Sequence, residues 1–256
     1  MAFSFGDLSA VTLVAAALIA LCAGFVKGAV GFAMPLILIS GLSAIMDPRL
    51  AVAALILPTV ASNLLQMARA GRREALDALR DFWVFTATAA VMVLLVTQLV
   101  PSISPEVFYF AIGVPVLALS AVQLLGVRFS LPVSARPVMD PVLGFVTGTI
   151  GGLAGNWGPT TVLYLLALGT ERQRQLAIQG VVYTIGSLSL MAGHLQSGLL
   201  NMQTAPFSAA LLIPAGLGMM LGFRFGDRLD KEWSRKVTLF VLVIAALNLI
   251  RRGVTG

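Results

Sequence analysis

The sequence predicts an all-α polytopic membrane protein built from two inverted repeats of four apolar segments. Three observations predict it. The first is composition: of 256 residues, 58% are hydrophobic and 11% charged, and the mean hydropathy is +0.95. A soluble domain carries about a quarter charged residues. The second is the length of the uncharged runs, among them Leu8–Val26, Gly28–Met46, Leu50–Ala68, Phe82–Pro105, Val107–Val127, Pro141–Thr170 and Gln175–Phe223. Each is long enough for the ~20 residues that span a bilayer. The third is a glycine motif that occurs once in each half. No polar stretch longer than the Arg69–Asp81 loop is left over, so residues 1–256 read as a single transmembrane domain.

The apolar segments, in order, are roughly 8–45, 50–68, 82–100, 106–126, 139–169, 175–197, 204–226 and 233–250. The first and fifth exceed what one tilted helix needs, and glycines interrupt both. Each is expected to form a broken re-entrant hairpin that enters the membrane, turns and leaves on the same side. The other six are expected to cross once. Trp83 and Trp233 open segments three and eight and read as interfacial anchors. No Lys or Arg precedes Lys27, so the first segment is expected to stay in the mature chain.

The long segments carry the repeat. Gly24-Phe25-Val26-Lys27-Gly28-Ala29-Val30-Gly31 matches Gly144-Phe145-Val146-Thr147-Gly148-Thr149-Ile150-Gly151 at an offset of 120, and a proline follows each, Pro35 and Pro159. Beyond an insertion around Gly152–Gly155 the offset becomes 126, pairing Leu50-Ala51 with Leu176-Ala177 and Glu106 with Glu232. Repeat one is about 8–127 and repeat two about 138–252.

Charge orients the halves. With eight single crossings the loop Lys and Arg divide equally, eight on each side, leaving out Lys27. With six crossings and two hairpins they divide thirteen against three, the asymmetry that the positive-inside rule requires. The expected topology therefore has six crossings, both termini outside, and loops Arg69–Asp81 and Arg224–Lys236 in the cytoplasm of a cell with a multi-pass inner (cytoplasmic) membrane protein.

The twin motif, whose second copy reads GFVTGTIGGLAGNWGP, together with the four-plus-four layout resembles the sulfite exporter TauE/SafE family of bacterial membrane proteins over nearly the entire chain. The resemblance implies export of a sulfur-containing anion such as sulfite or an organosulfonate. It also implies partners limited to that small anion and membrane lipids, with a homodimer left open.

The candidate substrate-binding residues follow from the hairpins. Lys27 is the only charge inside a long apolar segment, and a cation at membrane depth costs about 2.5–3.5 kcal/mol unless paired or hydrated. Its functional reading is an anion site; the alternative is a side chain that snorkels or bonds carbonyls at the turn. The chain is expected to turn near Gly28 and Gly31, and near Gly148, Gly151 and Gly152, which let backbone approach a ligand. The returning helices are expected to begin near Pro35 and at Gly158-Pro159-Thr160, since proline suits the first helical turn. Their N-termini offer free N–H groups to an anion, joined by Asn156, Thr160 and Thr161. The competing reading of Gly24-xxx-Gly28 and Gly144-xxx-Gly148 is helix packing. Asn63 and Gln66 on segment two, and Gln179 and Tyr183 on segment six, are expected to flank the hairpins. Trp157 is expected to wall the cavity.

Other chemistry is excluded or disfavoured. The net charge of +6 sits in short loops, which removes nucleic acid as a partner. Cys22 is the only cysteine, so neither a disulfide nor a thiolate metal site is expected, and no cofactor. All acids fall at segment ends or in loops, which disfavours a carboxylate relay. His194 reads as an interfacial residue. No HExxH, GxSxG or Walker motif is present, so the chain is expected not to be an enzyme. An anion channel and a non-transporting scaffold remain the alternatives to a transporter working by alternating access around the two turns.

Overall fold

The computed structural model describes residues 8–126, 130–226 and 231–255, with no side chain described over 231–235. Lys231, Trp233 and Arg235, and all of Arg228, therefore lie outside the described side chains. The described residues are helical without a strand: α1 Ala10–Val30, α2 Met34–Leu42, α3 Pro48–Ala70, α4 Arg72–Asp81, α5 Trp83–Leu99, α6 Pro105–Leu124, α7 Arg136–Ala154, α8 Gly158–Ala167, α9 Arg172–Gln196, α10 Ala205–Ala210, α11 Leu212–Gly226 and α12 Lys231–Thr255. Seven stretches among them are long and apolar enough to cross a membrane, α1 included. The chain is a multi-pass, all-helical membrane protein.

Two departures from the segment reading have local causes. The Arg69–Asp81 stretch, expected as a loop, contains α4. Its Ala75, Ala78 and Leu79 share a helical stripe that packs inward, and Ala78 is buried, so a strongly amphipathic sequence hides behind its charges. Segment seven divides at Leu211 into α10 and α11. His194, two residues before the end of α9, is buried between helices, with Nδ1 3.4 Å from Ser197 Oγ.

Close contacts at glycines give the directions of the helices. α1 runs parallel to α11, with Gly24 against Ala215 and Gly28 against Met219. α5 runs parallel to α7, where Gly144 meets Phe85, Gly148 meets Ala89 and Gly152 meets Val96. α3 is antiparallel to α9: Gly180 lies on Met67, while Asn63 Nδ2 donates to Tyr183 O at 2.9 Å. α6 is antiparallel to α12, with Gly113 on Ala246 and Gly253 beside Phe110. The two short arms fold back on the long ones. Gly41 of α2 lies on Ile19 of α1. In the second half Tyr164 Oη of α8 bonds Asp140 of α7, and Leu131 N–H donates to Ala167 O at 2.8 Å, joining the approach to α7 with the end of α8.

Basic residues gather at one end of the bundle. Arg174 bonds Glu74 at 3.2 Å and also Asp81. Arg136 bonds the Asp81 carbonyl and Asp140. The Arg69 guanidinium lies 4.1 Å from the Phe223 ring centroid, which brings the end of α11 to the end of α3.

Pro58 interrupts α3 and deprives Ala54 O of its usual helical donor. Ser208 of α10 closes the defect: its Oγ donates to Ala54 O at 2.9 Å and accepts from Leu57 N–H at 3.1 Å. A proline is tolerated within a spanning helix where such a side chain re-satisfies the backbone. Ser208→Ala should therefore cost about 1–3 kcal/mol, the penalty of an unpartnered buried carbonyl, read as a fall in Tm of the purified protein. An unchanged Tm would show that α3 tolerates the gap unaided.

Candidate functional site

α1 does not turn at Gly24 or Gly28. It continues to Val30, and the left-handed residue that ends it is Gly31, with φ 91° and its N–H on Lys27 O. α7 likewise runs past Gly148, Gly151 and Gly152 to end at Gly155, with φ 70° and its N–H on Gly151 O. Gly155 is thus the structural counterpart of Gly31, and the four-residue insertion is one added helical turn. The expected turn at Gly28 and at Gly148–Gly152 is corrected accordingly. A Cβ at Gly28 would strike the backbone of α11, and one at Gly148 the backbone of α5. Glycines four apart make a groove into which a neighbouring backbone fits. The i, i+4 spacing cannot by itself distinguish that groove from a turn.

Past the turns, α2 begins at Met34 and α8 at Gly158, each with its proline in the first turn. Ala33, which leads into α2, is the one non-glycine residue with positive φ among the described residues, at 81°. The two tips meet: the Phe32 ring lies on Gly158, and Pro35 stands beside Gly155. Two helix N-termini thus converge in the interior, and Met34, Pro35, Gly158, Pro159, Thr160 and Thr161 are all buried.

Lys27 occupies the last turn of α1 and is 2% exposed. Its Nζ donates to Asn63 Oδ1 at 2.5 Å and to Gly31 O at 3.3 Å, and lies 5.1 Å from the Tyr183 ring centroid. Every one of these partners is neutral. The bond from Asn63 to Tyr183 O fixes Asn63 in turn, so α1, α3 and α9 are tied at one point. Trp157 is stacked on Tyr183 with centroids 6.1 Å apart and an interplanar angle of 25°. Its indole occupies space that Gly151 of α7 and Gly186 of α9 leave open.

Around this pair the buried polar atoms are not used up. Trp157 Nε1, Asn156 Nδ2, Thr161 Oγ1 and Tyr183 Oη complete no hydrogen bond within the protein, although Tyr183 Oη lies beside Thr161. Thr160 is different, since its hydroxyl donates to Trp157 O at 3.1 Å. Gln66 Nε2 reaches Leu176 O at 3.5 Å, while Gln66 Oε1 and Gln179 Oε1 stay unpartnered. Buried polar groups are nearly always satisfied, by protein or by something bound.

A cavity of 430 Å³ opens at the basic end, with Arg69, Glu74 and Arg172 at its mouth and Gly28, Gly31 and Gln66 deeper in. Gln179 Oε1 would lie 3.3 Å from a Cβ at Gly31, so two glutamines flank the tip of the first hairpin. Lys27 is immediately behind, on the Gly31 carbonyl.

The sequence profile of the family described as Sulfite exporter TauE/SafE matches residues 16–249. The chain belongs to the sulfite exporter TauE/SafE family. No curated protein and no solved structure matches it. TauE/SafE is a family of transporters, and membership implies carriage of a small anion across a membrane.

In this TauE/SafE chain the structure brings together most of the residues expected at the site. Lys27, Gly31, Asn63, Gln66, Gln179 and Tyr183 surround the first tip; Pro35, Asn156, Gly158, Pro159, Thr160 and Thr161 form the meeting point of the two. Gly28 both lines the cavity and packs on α11. Gly148 and Gly152 do not join them, being covered by α5, and Gly151 acts as the seat of the indole. Sequence reasoning missed Gly155 and the arginine pair at the mouth, Arg69 and Arg172. Gly186 lies on the face of α9 that its spacing from Gln179 and Tyr183 marks in the sequence.

Proposed function

We propose that this TauE/SafE protein exports a small oxyanion, sulfite or an organosulfonate, across the cytoplasmic membrane by alternating access around the two hairpin tips. The observation that carries the reading is Lys27: a buried cation with only neutral partners, beside Tyr183 with its unpartnered hydroxyl and behind a cavity open at one end. Such a residue is costly in a membrane and marks a substrate pathway. An inside-negative potential supplies about 2.3 kcal/mol per charge per 100 mV for outward movement of an anion, so a facilitator needs no coupling ion.

The halves are read as inverted repeats with re-entrant hairpins. The antiparallel pairings of α3 with α9 and of α6 with α12 support this, since each joins the same segment of the two halves. So do the hairpin arms that return to their starting end and the basic residues collected at one end, which the positive-inside rule assigns to the cytoplasm. In proteoliposomes, sulfite efflux should saturate and should accelerate with anion on the opposite side; linear flux without that acceleration would identify a channel. Cysteines at Arg72 and Lys236 in a Cys22→Ser background should label from the cytoplasmic side and one at Asn201 from the other. Opposite labelling of the first two would end the inverted-repeat reading.

A further inference from the structure

We propose that the central site selects by charge, taking monovalent oxyanions and discriminating against divalent ones of the same size. The inference rests on the transporter reading above and specifies its substrate class: hydrogensulfite and sulfonates bearing one charge, in preference to sulfate or a carboxylated sulfonate.

The site holds one formal charge. Among the described residues Lys27 is the only ionic group in the cluster that joins it to Asn63, to Tyr183 and, through the Tyr183 ring, to Trp157. The second hairpin carries Thr147 where the first carries Lys27, so the repeat does not duplicate the cation. Glu74, the acid that lines the cavity, is bonded to Arg174, and the buried Asp140 is bonded to Arg136 and Tyr164. Lys27 itself touches only neutral groups, Asn63, the Gly31 carbonyl and the Tyr183 ring, and hydrogen-bonding capacity is left over at Tyr183 Oη, at Thr161 Oγ1 beside it, and at Trp157 Nε1 and Asn156 Nδ2 at the second tip. These can coordinate several oxygens of an anion without adding charge.

The scaling of the two energies then decides the outcome. The cost of moving an ion from water into a low-dielectric interior grows with the square of its charge, whereas its attraction to a single ammonium grows only linearly. Doubling the charge quadruples the penalty and doubles the reward. Lys27 neutralises a monoanion completely but leaves a dianion with one uncompensated charge among neutral walls. The arginines at the cavity mouth, Arg69 and Arg172, are close to the charged end of the molecule and attract either kind, so discrimination belongs to the inner cluster.

Methanesulfonate and sulfate test this directly, because both present sulfur–oxygen groups of similar size and differ in charge. Titrated calorimetrically into the purified full-length protein at one pH and ionic strength, methanesulfonate should bind at least tenfold more tightly than sulfate, and isethionate more tightly than sulfoacetate. In Lys27→Met the methanesulfonate affinity should fall to the level of sulfate, any binding that survives being that of the mouth. Sulfate binding as tightly as methanesulfonate to the parent protein would overturn the proposal while leaving the transporter reading intact. Silence from methanesulfonate, sulfate and sulfite alike would remove the transporter reading, and the charge rule with it.

Discussion

Replacing Lys27 with methionine should lower anion affinity about ten- to a hundredfold, from the loss of a charged hydrogen-bond donor worth roughly 1.5–3 kcal/mol. Transport should fall with it, while thermal stability without anion stays near that of the parent. The stability expectation comes from two opposed effects. Removing the ammonium leaves Asn63 Oδ1 and the Gly31 carbonyl without their donor, at about 1–3 kcal/mol for a buried group. It also removes a desolvated cation whose partners are all neutral, and an uncompensated buried charge costs several kcal/mol. Methionine keeps the volume, so no cavity is added. Lys27→Arg should retain part of the affinity, since the charge survives but a planar fork must fit where a buried alkyl chain ended. Calorimetry with methanesulfonate and a thermal melt on the same preparations check both halves. Normal binding by Lys27→Met would reduce Lys27 to a cap on the last turn of α1 and would dismantle the central site built on it.

What could be read in the sequence was whatever depends on neighbours along the chain. The apolar runs gave the spanning helices, because twenty apolar residues have few other uses. Pro35 and Pro159 marked the starts of α2 and α8, because proline restricts backbone and removes a donor wherever it stands. Asn63 and Tyr183 were legible as polar positions on otherwise apolar helices, and the structure joins them across α3 and α9. The location of the turns was not legible. Gly24, Gly28, Gly144 and Gly148 have the spacing of a packing groove and the composition of a turn, and only the identity of the opposing helices, α11 and α5, separates the two. Those contacts connect residues far apart in the chain. α4 stayed hidden because its charges outweigh its stripe of Ala75, Ala78 and Leu79, which matters only once α9 is beside it. Gly151 and Gly186 carry no local signal for the role they share, since it exists only after Trp157 has been folded between them.

That shared role gives Gly151→Ala an expected effect on function out of proportion to its size. A Cβ at Gly151 would overlap the five-membered ring of Trp157, and Gly186 also lies against the ring, where an added Cβ would be 2.9 Å from the indole. The ring is also stacked on Tyr183 and buried, so it has nowhere to slide without disturbing the wall beside Lys27. Overpacking of this kind typically costs 1–3 kcal/mol, and here the strain is relieved most directly by tilting Trp157 and Tyr183. Anion affinity should fall by more than about tenfold, since a shift near 1.4 kcal/mol already has that effect, with a smaller proportional loss of thermal stability. Gly148→Ala provides the contrast: it strikes the α5 backbone rather than a side chain, and should reduce folding yield and Tm before it reduces affinity in whatever protein folds. A double-mutant cycle identifies the cause. Trp157→Ala removes the ring that a Cβ at Gly151 would meet, so Gly151→Ala should cost markedly less in that background, with a coupling of at least about 0.5 kcal/mol. Additive effects of the two substitutions, in both binding and melting, would show that the indole is not what Gly151 accommodates.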